Sequence, residues 1–368
     1  MAAREFHDGA KDGLEALEPL DPEKIRSFED LLIAMRKTAF GGRRLGEAFE
    51  VLWSMIEDPE CSVILTLSGA MTIAKMGKIV STMIDHGMVQ GLVSTGALIA
   101  HGLSESIGKT HYRHHPAMSD EELFRKGYNR VYDTLEMEAN LNYVEHVVAQ
   151  TMKRISHDQP LSSEILTREL GKTLAEEFEG AGILKSAYLK KVPVYIPAFT
   201  DSEVGLDVGT WAMRHEIDRA RSQVKGHNDL EVLRFINRFC PSFNPYLDLN
   251  SYTNFVISAK RLGIFTIGGG VPRNWAQQVG PYIEIADMRL GLNVKPPRFH
   301  YGVRICPEPD YWGGLSGCTY QEGVSWGKFV SPEEGGRFAE VLSDATVVWP
   351  LLMVGVLERM KAKESKRI

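Results

Sequence analysis

Ser62-Val-Ile-Leu-Thr-Leu67 runs into Ser68-Gly69-Ala70, and after a stretch of helical period over residues 72–86 the form repeats. Met88-Val-Gln-Gly-Leu-Val93 runs into Ser94-Thr95-Gly96. A short apolar run that ends in small turn residues reads as a buried strand. Two such runs with a helix between them make a β–α–β unit, whose crossover lays the second strand parallel to the first. The pattern returns at Val192-Pro-Val-Tyr-Ile-Pro-Ala198 before Thr200-Asp201, and at Gly263-Ile-Phe-Thr-Ile267 before Gly268-Gly269-Gly270. Tyr301–Ile305 and Phe338–Leu342 are two further strand candidates, the last running into Ser343-Asp344-Ala345 and a C-terminal helix through Lys361. The expected fold is α/β, a doubly wound, mainly parallel sheet. Small or acidic residues follow strand after strand, and in such a sheet a ligand lies outside the carboxyl ends of the strands.

Outward from this core, residues 1–60 read as an N-terminal helical extension and residues 61–368 as the catalytic domain. Asp21-Pro22 is a cap followed by proline at a first helical position. Phe28, Leu31, Leu32 and Met35 then recur at helical spacing, and residues 44–57 form a second amphipathic helix. Residues 207–260 are polar, mixed and partly helical (Glu216–Val224, Asp229–Phe239), a long surface excursion before the chain rejoins the sheet.

The 368 residues are 43% hydrophobic and 24% charged, with a net charge of −6. That is enough apolar material for a large core. The sign argues against nucleic acid, which asks for a basic surface, and suits cationic ligands. Cys61, Cys240, Cys306 and Cys318 lie far apart with no metal or disulfide spacing, so a reducing cytoplasm is expected. The first eight residues lack the apolar core of a signal peptide. The apolar run over residues 346–357 is too short for a bilayer and is broken by Pro350, so no membrane role is expected.

Chemistry concentrates in Glu322-Gly-Val-Ser-Trp-Gly-Lys328. A carboxylate can pair with one end of a polyamine, and an indole face can hold a cation along its length. A lysine held out of water loses its proton more easily and can attack an imine carbon. Trp326, Phe329 and Val330 flank Lys328 and argue for desolvation; the bland reading is a solvated surface lysine. The three glycines 268–270 let a phosphate or ribose approach the backbone, although the spacing is not the dinucleotide fingerprint and a tight strand–helix turn explains them equally. Asp201 and Asp344 suit ribose hydroxyls or helix caps, and Ser94-Thr95 a cofactor or a cap. The loop Tyr311–Gly317 can wall the lysine's pocket or form a plain turn. His111, His114 and His115 precede Pro116 without a zinc spacing, so a polar rim or solvated loop is expected and no metal.

These residues together resemble deoxyhypusine synthase and its relatives, which include homospermidine synthases and bacterial deoxyhypusine-synthase-like proteins. The resemblance rests on Thr200-Asp201, Gly268–Gly270, Glu322–Lys328 and Ser343-Asp344-Ala345 in this order, and covers roughly residues 25–357. It implies a Rossmann-like NAD-binding fold and a homotetramer with shared active sites. It also implies transfer of the 4-aminobutyl group of spermidine through an imine on Lys328, with release of 1,3-diaminopropane. By position, Glu322 and Trp326 would bind the polyamine, with Asn274 and, at an alignment one residue uncertain, Asp207. Thr95, Asp201, Gly269, Gly270, Ser316, Asp344 and Ala345 would lie against NAD, joined by Gly69, Ser94 and Gly268 at the strand ends.

Three positions depart from the eukaryotic pattern. Asn274 stands where those enzymes have a histidine, Leu315 where they have an acid, and His101 where they have a cofactor-contacting glutamate. The excursion 207–260 is also longer. The expectation is therefore aminobutyl transfer to a small amine, with putrescine giving homospermidine. The rivals are deoxyhypusine synthesis on a translation-factor lysine and a non-catalytic NAD- or polyamine-binding protein. A sirtuin-like deacylase has nothing in the residues to favour it.

Overall fold

The computed structural model describes residue 4 and residues 6–366, apart from 157, 159 and 225–227. Much of the N-terminal segment read above for a signal peptide, and three residues of the 207–260 excursion, therefore lie outside the described residues.

Among the described residues nine strands are present: β1 (Cys61–Leu67), β2 (Gly91–Ser94), β3 (Tyr112–Arg113), β4 (Tyr128–Val131), β5 (Thr134–Met137), β6 (Val194–Tyr195), β7 (Arg261–Ile267), β8 (Phe299–Ile305) and β9 (Arg337–Val341). Six form one sheet in the order β6-β2-β1-β7-β8-β9, with every pair parallel. The expectation of a mainly parallel doubly wound sheet holds. The order steps outward from β1 to β2 and β6 on one side and to β7, β8 and β9 on the other, so the chain reverses direction across the sheet between β1 and β7.

Both faces of this sheet are buried, which is why its strands read as continuous apolar runs. Along β1, Val63, Leu65 and Leu67 enter one core while Ile64 enters the other. Along β7, Phe265 and Ile267 share the first core, and Leu262 and Ile264 the second. Helices 40–57, 77–85, 96–106 and 345–365 contribute to the first core. Helices 245–258, 270–277 and 279–290 contribute to the second, with Tyr252, Ala276 and Ile283.

The elements differ from the sequence reading in instructive places. The helix expected from residue 72 starts at Gly77, after a turn in which Lys75 holds a φ of 62°. β2 starts at Gly91, where its pairing with Ile64 begins, although Met88 and Val89 are buried. β6 is cut to two residues because Pro193 and Pro197 flank it and proline has no N–H for a ladder. Residues 112–137, given no strands above, hold the antiparallel sheet β3-β5-β4. The 207–260 segment is also no simple surface excursion. Helix 245–258 packs on the main sheet, with Tyr252 and Val256 fully buried and the Tyr252 hydroxyl donating to Ala276 O at 2.9 Å.

The N-terminal helices 28–36 and 40–57 pack on the C-terminal helix. Arg359 bridges Glu29 at 2.7 Å and Glu50 at 2.8 Å, and Glu29 N donates to Glu358 at 2.9 Å. Among the described residues no helix is long and apolar enough to cross a membrane.

Candidate active site

Because all six main strands point the same way, the residues that follow them gather along one edge. Gly69 follows β1, Ser94 closes β2 with Thr95 behind it, Asp201 follows β6, Gly268–Gly270 follow β7 and Asp344 follows β9. The Thr95 hydroxyl donates to Gly69 O at 2.8 Å and also accepts from Leu98 N, capping helix 96–106. Asp344 caps the C-terminal helix, accepting from Thr346 N at 2.7 Å, with Ala345 as its first residue. Asp201 does not cap; Ser202 caps helix 203–214 and leaves the Asp201 carboxylate exposed at the crevice edge.

The glycine turn is shaped by close approach. Gly268 and Gly270 have φ values of 78° and 61°, a region that favours glycine. A Cβ on Gly269 would lie 2.5 Å from Ser316 Cα, so the turn and the loop carrying Ser316 touch backbone to backbone. Gly269 N donates to Ser68 Oγ at 2.9 Å. Helix 270–277 has no side-chain cap, so its first N–H groups remain available to an anion. Free amides, a turn without side chains and carboxylates at the neighbouring strand ends fit a dinucleotide.

Lys328 lies one layer deeper. Helix 320–325 is capped by Thr319 and ends in a turn with Gly327 at φ 68°. Lys328 N donates to Gly323 O at 3.0 Å, and Lys328 O accepts from Phe299 N at 2.9 Å, which fixes the segment to the start of β8. Phe329 is fully buried against Phe299, Tyr320 and Phe338. A Cβ on Gly323 would meet its ring at 2.5 Å, which explains the glycine there.

This packing aims the half-buried Lys328 side chain into a cleft of about 230 Å³ lined by Arg273, Asn274, Gln277, Gln278, Leu315, Cys318, Glu322, Gly323 and Trp326. Lys328 Nζ donates to Asn274 Oδ1 at 3.2 Å and lies 5.9 Å from the Trp326 ring centroid. Burial pushes the Lys328 ammonium below its usual pKa, and the Arg273 charge adds to this, against Cys318 and Glu322. Burial and the neighbouring Glu322 push the Cys318 thiol up. A lysine so placed is a nucleophile in waiting.

Glu322, Trp326, Asn274 and Lys328 are therefore brought together, and Leu315 joins them as the contribution of the aromatic loop. Tyr311 and Trp312 of that loop are exposed and do not line the cleft. Asp207 is elsewhere. It sits on helix 203–214, where burial and the nearby Glu145 and Glu203 raise its carboxyl to about 7. Arg273, Gln277 and Cys318 were missed by sequence reasoning. A helix starting at Gly270 puts 273, 274 and 277 on neighbouring faces, and that spacing was the available signal.

The histidine reading needs correction. His111 is buried, not on a solvated rim, whereas His115 is exposed. His111 Nε2 and His101 Nδ1 lie 2.6 and 3.2 Å from Glu136 Oε2, and Asn140 donates to Oε1 of the same fully buried carboxylate at 3.0 Å. The His101, His111 and Glu136 donor atoms are close enough to hold a metal ion. As they stand, the carboxylate accepts from both imidazoles and the group is satisfied by its own bonds.

Compared with known proteins, the chain matches the deoxyhypusine synthase family profile over residues 30–356. It is 33% identical over 353 residues to a probable deoxyhypusine synthase of Methanosarcina acetivorans, covering 95% of this chain and 91% of that one. A deoxyhypusine synthase-like protein of Chlorobaculum parvum is 30% identical over 86% of this chain and 83% of its own. The crystal structure of an Entamoeba histolytica protein assigned as a deoxyhypusine synthase superposes with a TM-score of 0.55 at 14% identity, over 93% of this chain and 97% of that one, a likeness of fold.

Proposed function

Since the chain belongs to the deoxyhypusine synthase family, whose members are transferases that use NAD, we propose that it moves the 4-aminobutyl group of spermidine, through an imine on Lys328, to a small amine, with putrescine giving homospermidine. The observation that carries this reading is Lys328, half-buried in a cleft with Glu322 and Trp326 and hydrogen-bonded to the neutral Asn274.

Thr95, Gly268–Gly270, Ser316, Asp201 and Asp344 would hold NAD along the strand ends, with Gly69, Ser94 and Ala345 beside them. NAD held there would supply a hydride acceptor for the carbon beside spermidine's secondary amine and a hydride donor at the end, leaving no net redox change. Asn274 lies about one helical turn, roughly 6 Å of rise, beyond Gly270. Through its bond to Asn274, Lys328 would sit near the glycine turn.

Lys328 attacks the oxidised carbon, and 1,3-diaminopropane leaves. Burial lowers the proton affinity of Lys328 and so raises the unprotonated share of its amine. Asn274 Oδ1 accepts a hydrogen from Nζ and so orients the lone pair without adding charge. Glu322 pairs with the free ammonium end of the aminobutyl group, and the Trp326 face lies along the chain. The acceptor amine then displaces Lys328. Asn274 and Leu315, where eukaryotic relatives have other residues, favour a small acceptor over a docked protein.

A homotetramer with shared sites fits the exposure of Trp326 at the cleft and of Tyr311 and Trp312 in the preceding loop, which offer a second chain aromatic surface. The four free cysteines fit a reducing cytoplasm. The deciding experiment is mass spectrometry of products from enzyme, NAD and spermidine, with and without putrescine. Homospermidine together with 1,3-diaminopropane is the expected result. Diaminopropane without homospermidine would overturn the small acceptor and point to a protein lysine. No cleavage of spermidine would overturn the transfer itself.

A further inference from the structure

The Lys328 cleft is lined by two buried side chains that each keep one N–H group, Arg273 Nε and Gln277 Nε2, with nothing to donate to. Arg273 is 2% exposed and Gln277 6%, and both line the cleft from one face of helix 270–277. Arg273 Nη1 donates to Leu315 O at a long 3.4 Å. Its Nε has no acceptor, and neither has Gln277 Nε2. Among the described residues no ion pair engages this guanidinium. The Tyr320 ring, 5.3 Å away, gives it a cation–π contact but no hydrogen-bond acceptor.

Arg304 shows what the same layer does when an arginine is only structural. It is also buried, and it is ion-paired with Glu340 and donates to Ser316 O. Burying an arginine without a counter-charge is strongly destabilising, and buried donors in folded proteins nearly always have a partner. The unpartnered Nε of Arg273 belongs to a guanidinium edge of the kind that grips a carboxylate with two parallel bonds.

Glu322 is the one carboxylate among the cleft residues. The cleft is therefore dipolar, with an acid and an indole on one side and two unpartnered donors on the other. A plain diamine satisfies the first side and leaves Arg273 and Gln277 as they are. We propose that small amines carrying a carboxylate are a further acceptor class of this site, the carboxylate held by Arg273 and Gln277 and the amine directed at the imine on Lys328. The inference rests on the aminobutyl-transfer reading and goes beyond it in the acceptor.

The chemistry balances. The acceptor nitrogen adds to the imine carbon and loses a proton, and Lys328 Nζ departs with one, restoring the free lysine. The new carbon–nitrogen double bond takes up the proton and the hydride given up earlier when spermidine was oxidised. The product is an N-(4-aminobutyl) amino acid, and NAD ends oxidised as it began.

The test uses the full-length enzyme with NAD, spermidine and matched acceptors: putrescine against ornithine, which is putrescine with one carboxylate, and cadaverine against lysine. An aminobutyl adduct of ornithine is expected, with a KM about tenfold or more below that for putrescine. Arg273→Met should lower the ornithine-to-putrescine ratio of kcat/KM by about tenfold or more, and Gln277→Leu by less. Homospermidine formed from putrescine with no adduct formed from ornithine overturns the proposal. So does an Arg273→Met enzyme that binds NAD more weakly at an unchanged ratio, because that assigns the arginine to the cofactor. If spermidine is not cleaved in any mixture, it is the transfer reading that fails. Calorimetric titration of the NAD-loaded wild type then still judges the cleft: tighter ornithine than putrescine supports the proposal, and equal or weaker binding overturns it. The wild-type measurements stand even if a variant does not fold.

Discussion

Lys328 Nζ donates to Asn274 Oδ1 at 3.2 Å, so the nucleophile proposed for this enzyme is oriented by an uncharged amide. A carboxylate in that place would hold the lysine protonated, and a protonated histidine would repel it. The amide does neither, and it leaves the amine's proton affinity to burial, which lowers it, and to the opposing effects of Cys318, Arg273 and Glu322.

Replacing that amide by an acid should show the effect directly. Asn274→Asp sets a negative charge beside Nζ, which favours the ammonium and raises its pKa. The unprotonated amine is the reactive form, so the acidic limb of the kcat/KM profile should move to higher pH by the same amount. An unmoved limb would mean that Lys328 does not set that limb.

Lys328→Ala should reduce spermidine cleavage by at least about a thousandfold. In the wild type, borohydride added with spermidine and NAD should fix an aminobutyl adduct on the peptide containing Lys328. An adduct mapped to another lysine would remove the covalent step assigned here.

Trp326→Ala removes a ring that is 62% exposed at the cleft mouth. The loss of a cation–π contact of roughly 0.5–2 kcal/mol should weaken polyamine binding by about 2- to 30-fold. NAD affinity, read by fluorescence titration, should change little. Equal losses of both ligands would make the indole a structural residue.

Gly269→Ala forces a methyl group to within 2.5 Å of Ser316 Cα. Either the turn or the Ser316 loop must move, and both border the proposed NAD site. NAD affinity should fall by about tenfold or more, with a lower melting temperature. Unchanged affinity in a folded variant would place the cofactor elsewhere.

The buried Glu136–His111 pair should shape stability against pH. Burial opposes both charges. The bonds from His101, His111 and Asn140 nevertheless hold the Glu136 carboxyl well below 4.5, and those to Glu105 and Glu136 hold His111 above 6.5. The Glu136 contribution is present above 4.5 and is lost as pH falls through its lowered folded value. The His111 contribution is complete below 6.5 and is lost as pH rises through its raised folded value. Melting temperature should therefore be highest between about 4.5 and 6.5 as far as this pair is concerned. In Glu136→Gln the decline on both sides should flatten. An unchanged profile would show that the pair carries no net stability.

The sheet was legible because its central strands are buried on both faces and run into small residues, as Leu67 before Ser68-Gly69 and Ile267 before three glycines show. The ribbon β3-β5-β4 was not, because Tyr112, Arg113 and Asn129–Val131 are exposed and carry no apolar run. The lysine cleft could be read from Glu322–Lys328, which are neighbours in sequence. Arg273 and Gln277 reach it from more than forty positions away, and only the crossing of helix 270–277 over that segment brings them there. His101, His111 and Glu136 likewise come from a helix, a loop and a strand, and no local pattern announces them.

The two strands at the centre of the sheet, β1 and β7, meet through side chains as well as backbone, with the Thr66 and Thr266 hydroxyls 2.9 Å apart across 200 residues of chain. A ribosome adding about 5–20 residues per second needs roughly 10–40 s to travel from one threonine to the other. Through that interval β1 can pair with β2 on one side, while its other edge has no partner and its apolar residues are only half covered. The nascent protein thus spends much of its synthesis with an adhesive strand edge open to other chains. Its yield in a cell should depend on chaperone capacity more than the stability of the finished molecule would suggest.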